Sequence, residues 1–235
     1  MSVYALSDLH GQLELWNKIK KFLTKDDILI FLGDVLDRGN DGLKILTEML
    51  EDDRVVFLRG NHEQNLIDAY LDPDDTDFLR GWFGDGGFNT WIEFLSWSKE
   101  KQEKLYKKLI NLPIHAVYVN CDKTKVLLSH SGYTPYPEAS DRELTPWQAQ
   151  KKYLYNRDHI KDLWLGPFDG NVVVHGHTPT GTIDTSYCGK VLQYCDGHKI
   201  DIDTGATFCG IAALLDLDTL LPIYFYTDAN LEDIY

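Results

Sequence analysis

No stretch of this sequence approaches the roughly 20 consecutive apolar residues that a membrane-spanning helix needs, although 43% of its 235 residues are hydrophobic and 12% aromatic. No membrane partner is therefore expected. Cysteine is scarce: Cys121, Cys188, Cys195 and Cys209 have neither C-x-x-C spacing nor the density of a disulfide scaffold, and they read as reduced structural thiols. Positive charge is also in short supply, with 23 basic against 37 acidic residues and a net charge of -14. Such a field repels nucleic acid, whose binding rests on Lys and Arg neutralising phosphates, so no nucleic-acid partner is expected. Part of the acidic excess suits a metal site, where bound cations offset it. The opening MSVYALSDLHG has neither the basic nor the apolar region of a leader, which makes a cytoplasmic location the expectation. Nor does any repeat, low-complexity tract or linker divide the chain, so one domain over 1–235 is expected.

What the sequence does have is a series of short apolar runs that end in chemically capable residues. VYAL precedes SDLHG, ILIFL precedes GDVLDRG, VVFL precedes RGNHE, KVLL precedes SHSG and VVV precedes HGHTP. Length and β-branched content make each a strand. Ligands of open α/β sheets gather at the carboxyl ends of strands, so five distant segments are expected to build one composite site. Helices are expected over 12–22, where Leu13, Leu15, Trp16, Ile19 and Phe22 share a face, and over 42–51. Residues 64–112 read as a helical segment, with Ser98 capping a charged amphipathic helix. Its Trp82, Phe83, Phe88 and Trp91 are candidates to wall a substrate groove, with core packing as the alternative. A hairpin turning at Asn120 to Lys123, a helix starting at Thr145 and Pro146, and two or three closing strands complete an α/β pattern.

The motifs carry specific chemistry. In DLHG, Asp8 and His10 can converge on one cation where the chain turns at Gly11; the same pattern also serves as a loop cap. GDVLDRG supplies Asp34 and Asp37, of which an anionic oxygen can bridge two divalent cations, and Arg38, which can clamp a phosphate; a solvated acidic turn is the alternative. GNHEQ offers Asn61 as a neutral amide ligand and His62 as an acid or base. His130, His175 and His177 are further strand-end imidazoles. IDIDTGATF also looks like the active-site loop of aspartic proteases, with Asp203 as the acid. That chemistry needs two such loops, and this chain has one.

Taken in order, D-x-H-G, G-D-x-x-D-R-G, G-N-H-E, S-H-x-G and G-H-T-P resemble the PPP family of calcineurin-like metallophosphoesterases, and IDTGATFCG and YNRD resemble its bacterial and phage-type serine/threonine protein phosphatases. The resemblance implies a four-layer α/β/β/α fold, a β-sandwich flanked by helices, with metals at the strand ends on one edge. It implies two divalent metal ions, manganese first, with iron, zinc, nickel or magnesium as alternatives. Asp8, His10 and bridging Asp34 would hold one ion, and Asp34, Asn61, His130 and one histidine of HGH the other. A hydroxide bridging the ions would attack phosphorus in line. His62, oriented by Asp37, would protonate the leaving group, while Arg38 and Arg157 hold the phosphate oxygens.

Relatives outside the PPP branch end in G-H-x-H; here Pro179 stands at the last position, which assigns the metal to His177 and leaves His175 as a neighbouring or pocket residue. Both could face the metals if the strand ran on, since residues i and i+2 of an extended chain point the same way. The implied function is metal-dependent hydrolysis of phosphate monoesters, on phosphoserine or phosphothreonine proteins or on small phosphomonoesters. SHSG in place of H-G-G leaves phosphotyrosine open. The alternatives are a symmetrical dinucleoside tetraphosphate hydrolase and a non-catalytic regulatory module, although no ligand position is missing.

Overall fold

The structure, a computed structural model, describes residues 1–132, 153–157, 160 and 171–231. The helix expected at Thr145 and Pro146 lies outside the described residues. Two five-stranded mixed sheets organise the rest. One runs in the order β10–β9–β1–β2–β3, built from β1 (Val3–Leu6), β2 (Ile28–Phe31), β3 (Val55–Phe57), β9 (Ile211–Asp216) and β10 (Pro222–Tyr226). The other runs β4–β5–β6–β8–β7, from β4 (His115–Val119), β5 (Lys125–Ser129), β6 (Val172–His175), β7 (Leu192–Tyr194) and β8 (Lys199–Asp201). Each sheet contains three neighbouring parallel strands, β1–β2–β3 at one side of the first and β5–β6–β8 in the middle of the second.

Strand alternation decides what each face buries. Val3, Ala5, Ile30 and Leu32 of the first sheet meet Val126, Leu128, Val172, Val174 and Ile200 of the second in a core between the sheets. Tyr4, Leu6, Leu29 and Phe31 face the opposite way, against α1 (Leu13–Phe22), α2 (Gly42–Met49) and the helices that follow. These are α3 (Asn61–Leu71), α4 (Thr76–Trp82), α5 (Phe88–Ser96) and α6 (Lys99–Ile110), which make up the expected helical segment. A helical layer and two sheets are thus three of the four expected layers among the described residues. No helix among those residues is long and apolar enough to cross a membrane.

Several expectations need correction. Phe22 does not share the buried face of α1 but lies half-exposed at its end, edge-on to Tyr4 and Phe225. Trp82 and Trp91 are buried in the helical core instead of lining an open groove, while Phe88 is exposed. Cys121 and Cys188 are exposed, and Cys188 Sγ lies 2.7 Å from Cys209 Sγ. Strand β7 and the turns Thr180–Ile183 and Ala206–Cys209 were not expected, because elements of three or four residues carry no readable period.

One buried polar side chain locks the helical layer. Gln102 of α6 donates through Nε2 to Phe94 O and Trp97 O, both at 3.0 Å, and so ties α6 to carbonyls at the end of α5, where Phe94 O also accepts from Trp97 N at 3.2 Å. Gln102→Ala should therefore destabilise the protein by about 1–3 kcal/mol, read as a lower urea midpoint; a midpoint unchanged within error would show that these bonds do not hold α5 to α6.

Candidate metal centre

All six parallel strands end on the same edge, and each hands its next residues to one place. Asp8 follows β1, Asp34 follows β2, Asn61 and His62 open α3 just past β3, His130 follows β5, His177 follows β6 and Asp203 follows β8. The loops are held in conformations that side chains usually avoid: Asp8, His10, Asp34, Asp37, Arg38 and His177 have φ of 52°, 43°, 64°, 69°, 64° and 74°. Such residues cost about 1 kcal/mol or more each and persist where the surroundings over-determine them. Here the surroundings are cross-loop bonds, His10 N to Asp34 O at 3.0 Å, Gly11 N to Val35 O at 2.8 Å and Gly39 N to His10 O at 3.0 Å.

Glu63, to which the motif reading gave no role, is the other restraint. It is fully buried; Oε2 accepts from Asp34 N at 2.8 Å and Gly60 N at 2.9 Å, and Oε1 from Val35 N at 3.0 Å. One carboxylate thus caps α3 and pins the loop that presents Asp34. Burial and the charge of Asp34 push it up to about 7, against the backbone donors. The signal was present as a glycine N-cap with Glu three residues on.

The centre is organised on Asp34 Oδ2, which lies 3.9 Å from His10 Nε2, 3.7 Å from His62 Nε2 and 3.3 Å from His130 Nε2. Asn61 Oδ1 is 2.8 Å from both His130 Nε2 and His177 Nδ1. Two groups could each hold a cation, His10, Asp34 and His62, and Asp34, His130 and His177, with ligand atoms within 4.8 Å of one another. Asp34 is common to both. His10 and His130 donate Nδ1–H to Leu36 O at 2.7 Å and Leu32 O at 2.9 Å, which fixes each ring with Nε2 turned inward, the orientation that metal-ligating histidines require. Asp8 lies beside them; its Oδ2 accepts from His177 N at 3.0 Å and from the Ser7 hydroxyl. Its Oδ1 is buried without a hydrogen-bond partner among the described residues, 4.0 Å from His10 Nε2, as an oxygen meant for a cation would be. The donors fit two cations sharing one carboxylate.

The protonation states divide accordingly. Burial alone would raise Asp34, but the charges of His130, His62 and His10 hold it well below the carboxylate range. Burial would lower His130 and His62, and the charge of Asp34 overrides it, holding each near 9. Burial and the charge of His62 lower His10 to about 3; burial and the charge of His130 lower His177 to about 2. Burial, with repulsion from Asp34, lifts Asp8 to about 6.

His62 has a second partner: Nδ1 lies 2.5 Å from Asp37 Oδ2, leaving Nε2 directed at the cluster. Arg38 donates through NH1 to His10 Nε2 at 2.8 Å and through NH2 to Asp85 Oδ1 at 3.1 Å. Asp85, whose other oxygen is 3.4 Å from His62 Nε2, was invisible to motif reading because it reaches the site only through a turn in which Gly86 has φ 97°. Arg157 is exposed and near enough to His177 for its charge to help lower that imidazole.

His175 stays outside the cluster. Its Nε2 is 2.6 Å from the Tyr194 hydroxyl and its Nδ1 3.9 Å from Asp201 Oδ2. The equivalence of i and i+2 fails here because β6 ends at His175 and His177 is left-handed. Asp203 is no isolated protease acid: its Oδ1 accepts from Gly205 N at 3.0 Å within the loop, and burial and the charge of Asp8 raise its carboxyl well above the usual range.

A serine/threonine-protein phosphatase 1 of Salmonella typhimurium is 27% identical over 217 residues, 88% of each chain. A symmetrical bis(5'-nucleosyl)-tetraphosphatase of Buchnera aphidicola is 31% identical over 140 residues, 57% of this chain and 46% of that one. A solved protein serine/threonine phosphatase from Saccharomyces cerevisiae shares the fold, with a TM-score of 0.63 at 14% identity over 97% of this chain and 80% of the other. Residues 1–202 match the calcineurin-like phosphoesterase family, and the chain belongs to it.

Proposed function

We propose that this phosphoesterase is a phosphoprotein phosphatase that hydrolyses phosphoserine and phosphothreonine monoesters, with phosphotyrosine also accepted. The observation that carries the reading is the His62–Asp37 pair at 2.5 Å, which turns Nε2 of His62 toward the cluster organised on Asp34, with an Arg38 guanidinium nitrogen 3.2 Å from it. Asp8, His10 and Asp34 would hold one divalent cation and Asp34, Asn61, His130 and His177 the second, with manganese the favoured ion. Bound there, the cations supply Lewis-acid polarisation of the phosphoryl group and a water acidic enough to serve as nucleophile.

The chain's own residues do the rest. His62 stays protonated because Asp34 and Asp37 both favour its cation, and it passes a proton from Nε2 to the departing alkoxide. Asp37 holds the ring so that Nδ1–H points away from the leaving group. Arg38 and Arg157 present N–H groups to the nonreacting phosphate oxygens. Asp85 competes for Arg38 from the rim of the site. Likeness to the Salmonella typhimurium phosphatase over most of both chains supports a protein substrate. The tetraphosphatase likeness favours a second reading, a dinucleoside tetraphosphate substrate, though it covers less of either chain.

Incubation of the manganese-loaded protein with a phosphoserine peptide and with diadenosine tetraphosphate should give faster release of phosphate from the peptide; a strong preference for the dinucleotide would reverse the assignment. Metal analysis should find two cations per chain in the wild type and in His175→Ala and at most one in His177→Ala, the opposite pattern exchanging the two histidines. The pH dependence of binding has a definite sign. His130 is held near 9, so at neutral pH a cation must displace its proton from Nε2. Calorimetric titration with manganese in buffers of different ionisation enthalpy should register proton release and affinity that weakens as pH falls, whereas affinity independent of pH between 6 and about 9 would exclude His130 as a ligand.

A further inference from the structure

Asp37 Oδ2, the oxygen that holds His62, has a second donor. Trp82, at the end of α4 and 3% exposed, places its indole Nε1 2.6 Å from that same oxygen. Indole nitrogen can only donate and carboxylate oxygen only accept, so the direction of the bond is fixed. The carboxylate is fully buried, and its backbone N–H is directed at Thr90 Oγ1, 3.2 Å away in α5. Three elements therefore grip Asp37: α3 through His62, α4 through Trp82 and α5 through Thr90.

The segment between α4 and α5 is shaped around the indole. The ring lies 6.0 Å from Trp91 and 5.9 Å from Phe83, and a Cβ at Gly87 would overlap it. Rotating the indole away from Asp37 would leave a buried N–H without this acceptor, and the packed aromatics leave it little room to move.

We propose that Trp82 is a positioning residue for proton transfer, the third member of a Trp82–Asp37–His62 relay in which the indole fixes the Asp37 carboxylate that orients the general acid. The inference rests on the phosphatase reading above and deepens it. A second donor on Oδ2 stops the carboxylate turning about its Cβ–Cγ bond, and it draws charge from the oxygen nearest Nδ1. With its ring held in this orientation, His62 presents Nε2 to the leaving oxygen. On this account the helical segment α4–α5 is part of the acid catalyst and not only a cover for the core.

Trp82→Phe keeps a ring and removes the donor. Turnover of a phosphoserine peptide, whose alkoxide needs a proton as it departs, should fall by about 10-fold or more, a share of the ~10²–10⁴ that general acids contribute. Turnover of p-nitrophenyl phosphate, whose leaving group departs without a proton, should fall far less, and KM for both should be unchanged. In a His62→Gln background Trp82→Phe should cause no further loss on the peptide. One readout needs neither metal nor activity: among the indole N–H signals of the six tryptophans in the NMR spectrum, that of Trp82 should lie far downfield in the wild type and move upfield in Asp37→Asn. Equal losses on the two esters, losses that add to those of His62→Gln, or an indole signal indifferent to Asp37→Asn would overturn the role of Trp82 while leaving the phosphatase reading intact. A wild type that hydrolyses neither ester would overturn that reading and this inference together.

Discussion

A negative charge buried at the seam of two sheets governs this molecule. Asp34 is 2% exposed, and taking a carboxylate out of water costs several kcal/mol unless opposite charge or donors surround it. Its compensation comes from His10, His62 and His130, from the His62 amide that donates to Oδ1 at 2.9 Å, and from Glu63, which fixes the Asp34 backbone. These partners arrive on three strand ends, His10 past β1, His62 and Glu63 past β3, and His130 past β5. The parallel registers β1–β2–β3 and β5–β6–β8 are what bring those ends to one edge, so the fold and the site meet in one requirement.

The same charge sorts four imidazoles that differ little in composition. His62 and His130 lie where Asp34 outweighs burial and keep their protons; His10 and His177 lie where burial wins and the neighbouring cations repel a proton. His62 is distinguished further by Asp37, which commits its Nδ1 and turns Nε2 toward the cluster, the geometry on which the proposed acid role rests. His10 and His130 commit Nδ1 to backbone carbonyls instead. Role follows from the partner of the far nitrogen.

Much of this was legible in the sequence. Apolar runs with β-branched residues located the strands, and the polar residues after them located the edge, because strand ends are where backbone donors and side chains are free to converge. The order of the motifs supplied the family. What stayed hidden depends on backbone turns and on contacts across distant segments. His177 separates from His175 only because the strand stops and the chain turns left-handed. Asp85 reaches Arg38 only through the turn at Gly86, and the Trp82 indole meets Asp37 45 residues away in sequence. Composition marked Trp82 as aromatic and near the site, but it could not tell a groove wall from a buried donor.

The central claim is that one carboxylate, Asp34, joins two cations. Electron paramagnetic resonance of the manganese-loaded protein tests it directly. A bridging carboxylate couples the spins of two adjacent ions, so the wild type should give an exchange-coupled dinuclear signal and Asp34→Asn should lose it. A wild type showing only uncoupled, mononuclear manganese at saturation would contradict the account.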